Sequence, residues 1–210
     1  LMNNTFRDLV FAFANEVSSI CDAFNINAFR VIAAANEGYP RDRIPMPSPG
    51  VGGICLSKDP YLYTNPIAPL DRAPILGRAS RSINSAGAAY VGTLMERFAR
   101  HLGRDVASLN ILLIGLAFKG MPETSDIRAS VAVDVIRGLP DPGRVRVKDF
   151  VVPSEDIVRL GCQPVEDDLG DAFDQVDVVL VMNNHYRNNR FNVVSALERS
   201  NQPVLFFDGW

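Results

Sequence analysis

The chain has 210 residues, 47% of them hydrophobic, and a formal net charge of -3, enough to bury one large core or two modest ones. Its basic residues are scattered, which excludes a polybasic surface for nucleic acid or acidic lipid. Apolar runs too short for a bilayer, no secretory leader and three distant cysteines, Cys21, Cys55 and Cys162, predict a cytoplasmic protein with reduced thiols, neither disulfide-framed nor metal-bound.

The first element reads as a helix, because Phe6, Leu9, Val10, Phe13, Val17, Ile20 and Cys21 recur at three- and four-residue steps. It opens without an initiator methionine or a capping signal, so residues ahead of Leu1 are expected to be missing. A second helix is predicted over Ala28 to Asn36, stopped by Glu37-Gly38-Tyr39-Pro40. A Pro/Gly-rich loop follows, and from about Asp71 to His101 the pattern is helical again. A helix of roughly thirty residues is long for a globular domain; it can act as a spine or pair with a copy of itself in a dimer.

After Arg104 the texture changes. Leu109 to Ile114 is an apolar run of the kind that forms a buried parallel strand. Helices at Ser130 to Gly138, Glu155 to Leu160 and Val193 to Arg199 then alternate with strands at Val145 to Val147, Val176 to Met182 and Val204 to Phe207. Such alternation predicts a three-layer α/β/α domain with a parallel sheet, whose ligands bind at the carboxyl ends of the strands. The fold class expected is therefore α/β: an all-helical domain with a long connecting helix, then a Rossmann-like domain.

Two loops carry candidate chemistry. In Pro47-Ser48-Pro49-Gly50-Val51-Gly52-Gly53-Ile54-Cys55-Leu56-Ser57-Lys58-Asp59-Pro60 a lone cysteine follows a glycine cluster and precedes a cation. Glycine permits positive φ and close approach of a ligand, and a neighbouring cation favours the nucleophilic thiolate. A surface turn with an inert thiol fits the same residues, and the two readings stand level on this loop alone. The second loop, Gly115-Leu116-Ala117-Phe118-Lys119-Gly120, lies where a dinucleotide fold places its phosphate loop but lacks the Gly-x-Gly-x-x-Gly fingerprint. Its aromatic ring, Lys119 and the nearby Arg128 suit a nucleotide base and a diphosphate, or are merely solvated.

Taken in order, Gly50-Val51-Gly52-Gly53 with Cys55 and Lys58-Asp59-Pro60, then Gly115-Leu116-Ala117-Phe118-Lys119 with Asp126-Ile127-Arg128, resemble the UDP-glucose/GDP-mannose dehydrogenase family. Asn4-Thr5-Phe6-Arg7-Asp8 and Ala14-Asn15-Glu16 resemble its central helix. The resemblance implies a three-part enzyme of which this chain holds two parts: a central helical dimerisation domain at 1–103 and a C-terminal nucleotide-sugar-binding domain at 104–210, without the N-terminal NAD-binding domain. It implies oxidation of a nucleotide-sugar at carbon 6 to a carboxylate with two NAD+, through a thiohemiacetal and a thioester on cysteine.

By position the resemblance implies Cys55 as nucleophile, Asn4 as a donor to developing oxyanion charge and Asp59 as a handler of protons or water. It implies Gly50, Val51, Gly52 and Gly53 at the sugar, Phe118 and Lys119 at the nucleotide, and Arg41 reaching the partner subunit's site. Lys58 and Arg128 would approach the cofactor, although the spacing from Lys119 to Arg128 is two residues longer than in many relatives. The resemblance also implies a lysine four residues before Asn4 that acts with it, a position directly ahead of Leu1, so the chain alone is expected not to turn over. Structural roles remain open: Asn4 as a surface residue, Asp59 as a brace before Pro60, Arg41 paired with Glu37 or Asp42. Cys21 fits a helical apolar face, and His101 and His185 lack metal-ligand spacing, His185 bordering the nucleotide pocket. A non-catalytic dimeric nucleotide-binding module is the rival reading; a 3-hydroxyacid-type dehydrogenase is disfavoured, since such enzymes lack the Gly-Gly-x-Cys loop.

Overall fold

The computed structural model describes residues 1–65, 74–166, 169–190, 192–198, 200 and 203–210. It divides into two compact units, Leu1–Gly87 and Ala88–Trp210.

The first unit is helical: α1 Met2–Ala23, α2 Ala28–Asn36, α3 Ile54–Thr64 and α4 Leu76–Ser85. The Asn27 side chain accepts from the Arg30 N–H to cap α2, and Gly38 turns the chain away at φ 68°. The face that α1 buries differs from the expected one. Phe6, Phe13 and Ile20 are 69%, 52% and 55% exposed, whereas Thr5, Asp8, Ala12 and Ala14 are buried. Small and polar residues face inward because α1 is held by a buried polar network rather than an apolar stripe. Asp8 pairs with Arg81 of α4 at 2.6 Å, accepts from Ser80 Oγ at 2.7 Å and from Asn84 Nδ2 at 2.9 Å, so that the desolvated charges all find partners.

A second difference concerns the glycine-rich loop, which ends at Gly53. The following segment, expected to be irregular, is α3, with Cys55 in its first turn and Pro60 inside it. Pro60 has no N–H to donate to the carbonyl four residues back. Helix α4 closes on that weakened stretch through Gly77, where a Cβ would lie 3.1 Å from Thr64 Cγ2 and 3.2 Å from the Pro60 carbonyl oxygen.

The helix expected over 71–101 is two helices, α4 and α5 Gly87–His101, separated by a turn at Ala86; positions 71–73 lie outside the described residues. Gly87 sits so close to the glycine-rich loop that a Cβ would fall 1.6 Å from the Pro49 carbonyl oxygen.

The second unit is a three-layer α/β/α domain. Strands β1 Ile111–Ile114, β2 Val145–Lys148, β3 Gln163–Pro164, β4 Val178–Val181 and β5 Leu205–Asp208 form a parallel sheet in the order β3-β2-β1-β4-β5. Alternation along the strands sorts the two cores. Ile111, Leu113, Val145, Val147, Val178 and Leu180 pack with α5, α6 Val131–Arg137 and α7 Ser154–Arg159 through Met95, Ile136 and Ile157. Leu112, Ile114, Val179 and Val181 pack on the other face with α8 Leu169–Ala172 and α9 Val193–Glu198. Position 199, the expected end of the last helix, lies outside the described residues. The two-residue β3 and the short α8 are elements that sequence periodicity does not announce.

Candidate functional site

In the first unit the loop before α3 is fixed at several points. Gly50 and Gly53 take φ of 143° and 90°, conformations that L side chains adopt only with strain. The Ser48 N–H donates to Asn15 Oδ1 at 2.9 Å, Asn15 Nδ2 donates to Asn84, and Arg81 Nη1 donates to the Val51 carbonyl at 3.3 Å. The polar network around Asp8 thus extends into the loop that aims α3.

Cys55 is exposed in the first turn of α3, where the partial positive charge of unpaired N–H groups attracts anions. Lys58 follows three residues later on the same helical face. Its ammonium lies 2.6 Å from Asp59 Oδ1, and the hydrogen bond to Asp59, opposed by desolvation and supported by the nearby charges of Asp59 and Cys55, raises its pKa. The other Asp59 oxygen accepts from Asn4 Nδ2 at 2.7 Å. Those two hydrogen bonds, from Lys58 and then Asn4, hold the Asp59 carboxyl below the usual carboxylate range. Asn4, Lys58, Asp59 and Cys55 therefore form one cluster across α1 and α3. Arg41 is exposed on a bend, joins none of them, and has no ion-pair partner among the described residues.

The second unit presents its loops where β1 and β4 lie side by side while their connections leave in opposite directions, the crevice at which open α/β sheets bind ligands. Gly115 leaves β1 at φ 91°, and Asp149 Oδ2 accepts from the N–H groups of Leu116 and Ala117 at 2.7 and 3.1 Å. The half-buried Phe118 and Lys119 follow, the ammonium 5.3 Å from the Phe118 ring centroid, a cation–π distance.

Arg128 stands differently. Its guanidinium grips Asp126 through Nε and Nη2 at 2.9 and 2.8 Å, and those bonds hold the Asp126 carboxyl down at about 2. Lys119 has no carboxylate partner among the described residues.

Of the loop after β4 the sequence marked His185 alone, and the anchoring roles of Asn183 and Asn184 were missed. Asn183 Nδ2 donates to the Ala117 carbonyl at 3.3 Å, and Asn184 Oδ1 accepts from the Gly120 and Met121 N–H groups at 2.9 and 3.1 Å. His185, buried, stacks between Phe150 and Tyr186 and meets Glu123 at 2.9 Å. Its Nδ1 accepts from the Arg187 N–H, so a neutral imidazole with its proton on Nε2 serves both contacts. A cavity of about 340 Å³ opens beside these residues, with Asn188, Asp208 and Trp210 on its walls. Only the Asn-Asn-His run itself, at a strand end, could have signalled this.

Cys21 and Cys162 are buried. Among the described residues no group of three or more His, Cys, Asp or Glu side chains could hold a metal ion, and no helix is long and apolar enough to cross a membrane.

Residues 1–86 match the model of the UDP-glucose/GDP-mannose dehydrogenase family's central domain, and residues 112–210 match that family's UDP binding domain. The chain is 33% identical over 197 residues to an NDP-N-acetyl-D-galactosaminuronic acid dehydrogenase of Ralstonia solanacearum, covering 89% of this chain and 42% of the relative. It is 32% identical to a UDP-N-acetyl-D-mannosamine dehydrogenase of Campylobacter jejuni, covering 88% and 44%. The UDP-N-acetyl-mannosamine dehydrogenase structure from S. aureus superposes with a TM-score of 0.73 at 31% identity, covering 99% of this chain and 49% of that one. A UDP-glucose dehydrogenase from Pyrobaculum islandicum shares the fold, at a TM-score of 0.78 and 24% identity over all of this chain and 50% of its own. The chain thus spans less than half the length of these curated relatives.

Proposed function

The chain belongs to the UDP-glucose/GDP-mannose dehydrogenase family, and from that premise we propose that it is the central and C-terminal portion of an NAD-dependent nucleotide-sugar 6-dehydrogenase. Such an enzyme makes uronic acid units for polysaccharide precursors in the cytoplasm. The observation that carries this reading is the cluster in which Cys55 opens a helix, Lys58 follows on its face, and Asn4 bonds to Asp59.

Within that reading, NAD+ supplies the hydride acceptor for each of two oxidations at carbon 6. The first leaves an aldehyde, to which the Cys55 sulfur adds while a proton moves to the carbonyl oxygen, giving a thiohemiacetal. Loss of hydride and of the hydroxyl proton gives a thioester, and water then cleaves the carbon–sulfur bond, releasing the carboxylate and restoring the thiol. Asn4 directs an N–H toward oxyanion charge or holds Asp59, and Asp59, kept ionised by its two hydrogen bonds, takes up a proton or orients water. The backbone of Gly50, Val51, Gly52 and Gly53 faces the sugar, and Phe118 with Lys119 holds the nucleotide.

For the cofactor the chain offers little of its own. Its sequence holds no Gly-x-Gly-x-x-Gly loop, Arg128 is engaged by Asp126, and Lys58 by Asp59. The 210 residues alone are therefore expected not to reduce NAD+, and a homodimer is expected on gel filtration, with Arg41 serving the partner's site.

Alkylation tests the thiol. Iodoacetamide labelling followed by peptide mapping should modify Cys55 faster than glutathione at neutral pH, with buried Cys21 and Cys162 as internal controls. Labelling of Cys55 no faster than the free thiol would favour a non-catalytic nucleotide-binding module.

A further inference from the structure

We propose that Asn184 is a positioning residue for nucleotide binding: through the two peptide N–H groups after Lys119 it fixes where the Lys119 ammonium stands, at the place of the nucleotide's diphosphate. This rests on the reading above that Phe118 and Lys119 hold the nucleotide.

The loop from Ala117 to Glu123 is held by three consecutive residues after β4. Asn183 takes its start through the Ala117 carbonyl, Asn184 takes its middle through Gly120 and Met121, and His185 takes its end through Glu123. The grip is close enough to forbid a side chain at position 120. A Cβ on Gly120 would lie 2.1 Å from the His185 nitrogen and 2.6 Å from the Asn184 carbonyl carbon.

Phe118 and Lys119 span the gap between the first two anchors. The Phe118 N–H is itself tied to the Asp126 carbonyl at 3.1 Å. The one polar side chain in that span is Lys119, which lies by the Phe118 ring and meets no carboxylate among the described residues. Nearby Arg128, the other cation of this loop, is neutralised by Asp126. An anion reaching this loop therefore finds its uncompensated charge at Lys119, and Asn184 sets the backbone that carries it.

Anchoring of this kind acts by removing freedom before binding, so its loss appears as weakened affinity rather than as a lost contact. The side chain of Asn184 need not touch the nucleotide. Both lone pairs of its oxygen are engaged by adjacent amides, a geometry that an aspartate oxygen reproduces and an alanine does not.

The test is calorimetric titration of the 210-residue chain with UDP, joined to amide hydrogen exchange. Asn184→Ala should weaken UDP about tenfold, the order expected from two lost hydrogen bonds, and should speed exchange at Gly120 and Met121 while leaving the sheet amides protected. Asn184→Asp should keep those two amides protected. On a Lys119→Ala background, Asn184→Ala should cost little more, because both act through one ammonium. Unchanged UDP affinity in Asn184→Ala, fully additive losses, or unaltered exchange at Gly120 and Met121 would overturn the proposal while leaving nucleotide binding intact. No UDP binding by the parent chain would instead remove the reading on which it rests.

Discussion

Asp8 of α1 and Arg81 of α4 form an ion pair 2.6 Å long with both side chains buried, and the same guanidinium donates to the Val51 carbonyl in the loop before Cys55. One charge pair thus joins two helices to the segment that aims the candidate nucleophile.

Arg81→Leu strands the Asp8 carboxylate in the interior, and breaking such a pair costs about 3–5 kcal/mol. Urea denaturation followed by a probe within residues 1–87 should show that loss. A change below about 1 kcal/mol would mean that Ser80 and Asn84 satisfy Asp8 by themselves.

Gly87→Ala places a methyl group against the Pro49 carbonyl, where the ideal Cβ position is 1.6 Å from the oxygen. Either the turn at Ala86 or the loop at Pro49 must move, at about 2 kcal/mol or more. Thermal melts should record it, and Cys55 labelling should change as the loop shifts. Gly92→Ala, inside α5 with open space at its Cβ, is the control: it should raise the melt slightly, by the helix preference of alanine over glycine of about 1 kcal/mol, and leave Cys55 labelling unaltered.

Asp126 supplies a pH signature. Arg128, first by its side chain and then by its N–H, holds the carboxyl at about 2 in the folded chain. Because the folded value is depressed, the stabilisation is complete above the ordinary carboxylate value of about 4 and disappears as pH falls toward about 2. Carboxyl-carbon NMR should find that midpoint, and Arg128→Ala should raise it toward the ordinary value.

Cys162 behaves in the opposite sense. Burial pushes its thiol up to about 11, so the folded state favours the neutral form. Its contribution is complete below an unfolded thiol's value of about 8.5 and is lost as pH rises through about 11. Cys162→Ala should flatten the alkaline limb of the stability profile, and at pH 8 Cys162 should stay unlabelled while Cys55 reacts.

Much of this was legible in the residues. The apolar run ending at Ile114 and the alternation of strands and helices after it fixed the parallel sheet, because buried strands carry their signal locally. Helix α2 was equally plain from its bounded period and stop signals. The inward face of α1 was not, since its core partners are charges and amides from α4 more than seventy residues away and the exposed Phe6, Phe13 and Ile20 mimic a core stripe. Pro60 and three nearby glycines concealed α3, where tertiary packing at Gly77 outweighs local propensity. Cys55, Lys58 and Asp59 could be singled out by type and spacing, whereas the Asn4 to Asp59 bond and the Asn184 clamp depend on contacts between distant segments.

The proposed covalent chemistry is tested most directly by joining the chain to the NAD-binding domain of a family member, mixing it with NAD+ and a UDP-sugar, and following a rapid quench with peptide mass mapping. A UDP-uronyl thioester is expected on the peptide bearing Cys55, and Cys55→Ser should show no thioester and carboxylate formation lowered about a thousandfold or more. Carboxylate formed at an unreduced rate by Cys55→Ser, or an adduct on any other residue, would contradict that chemistry.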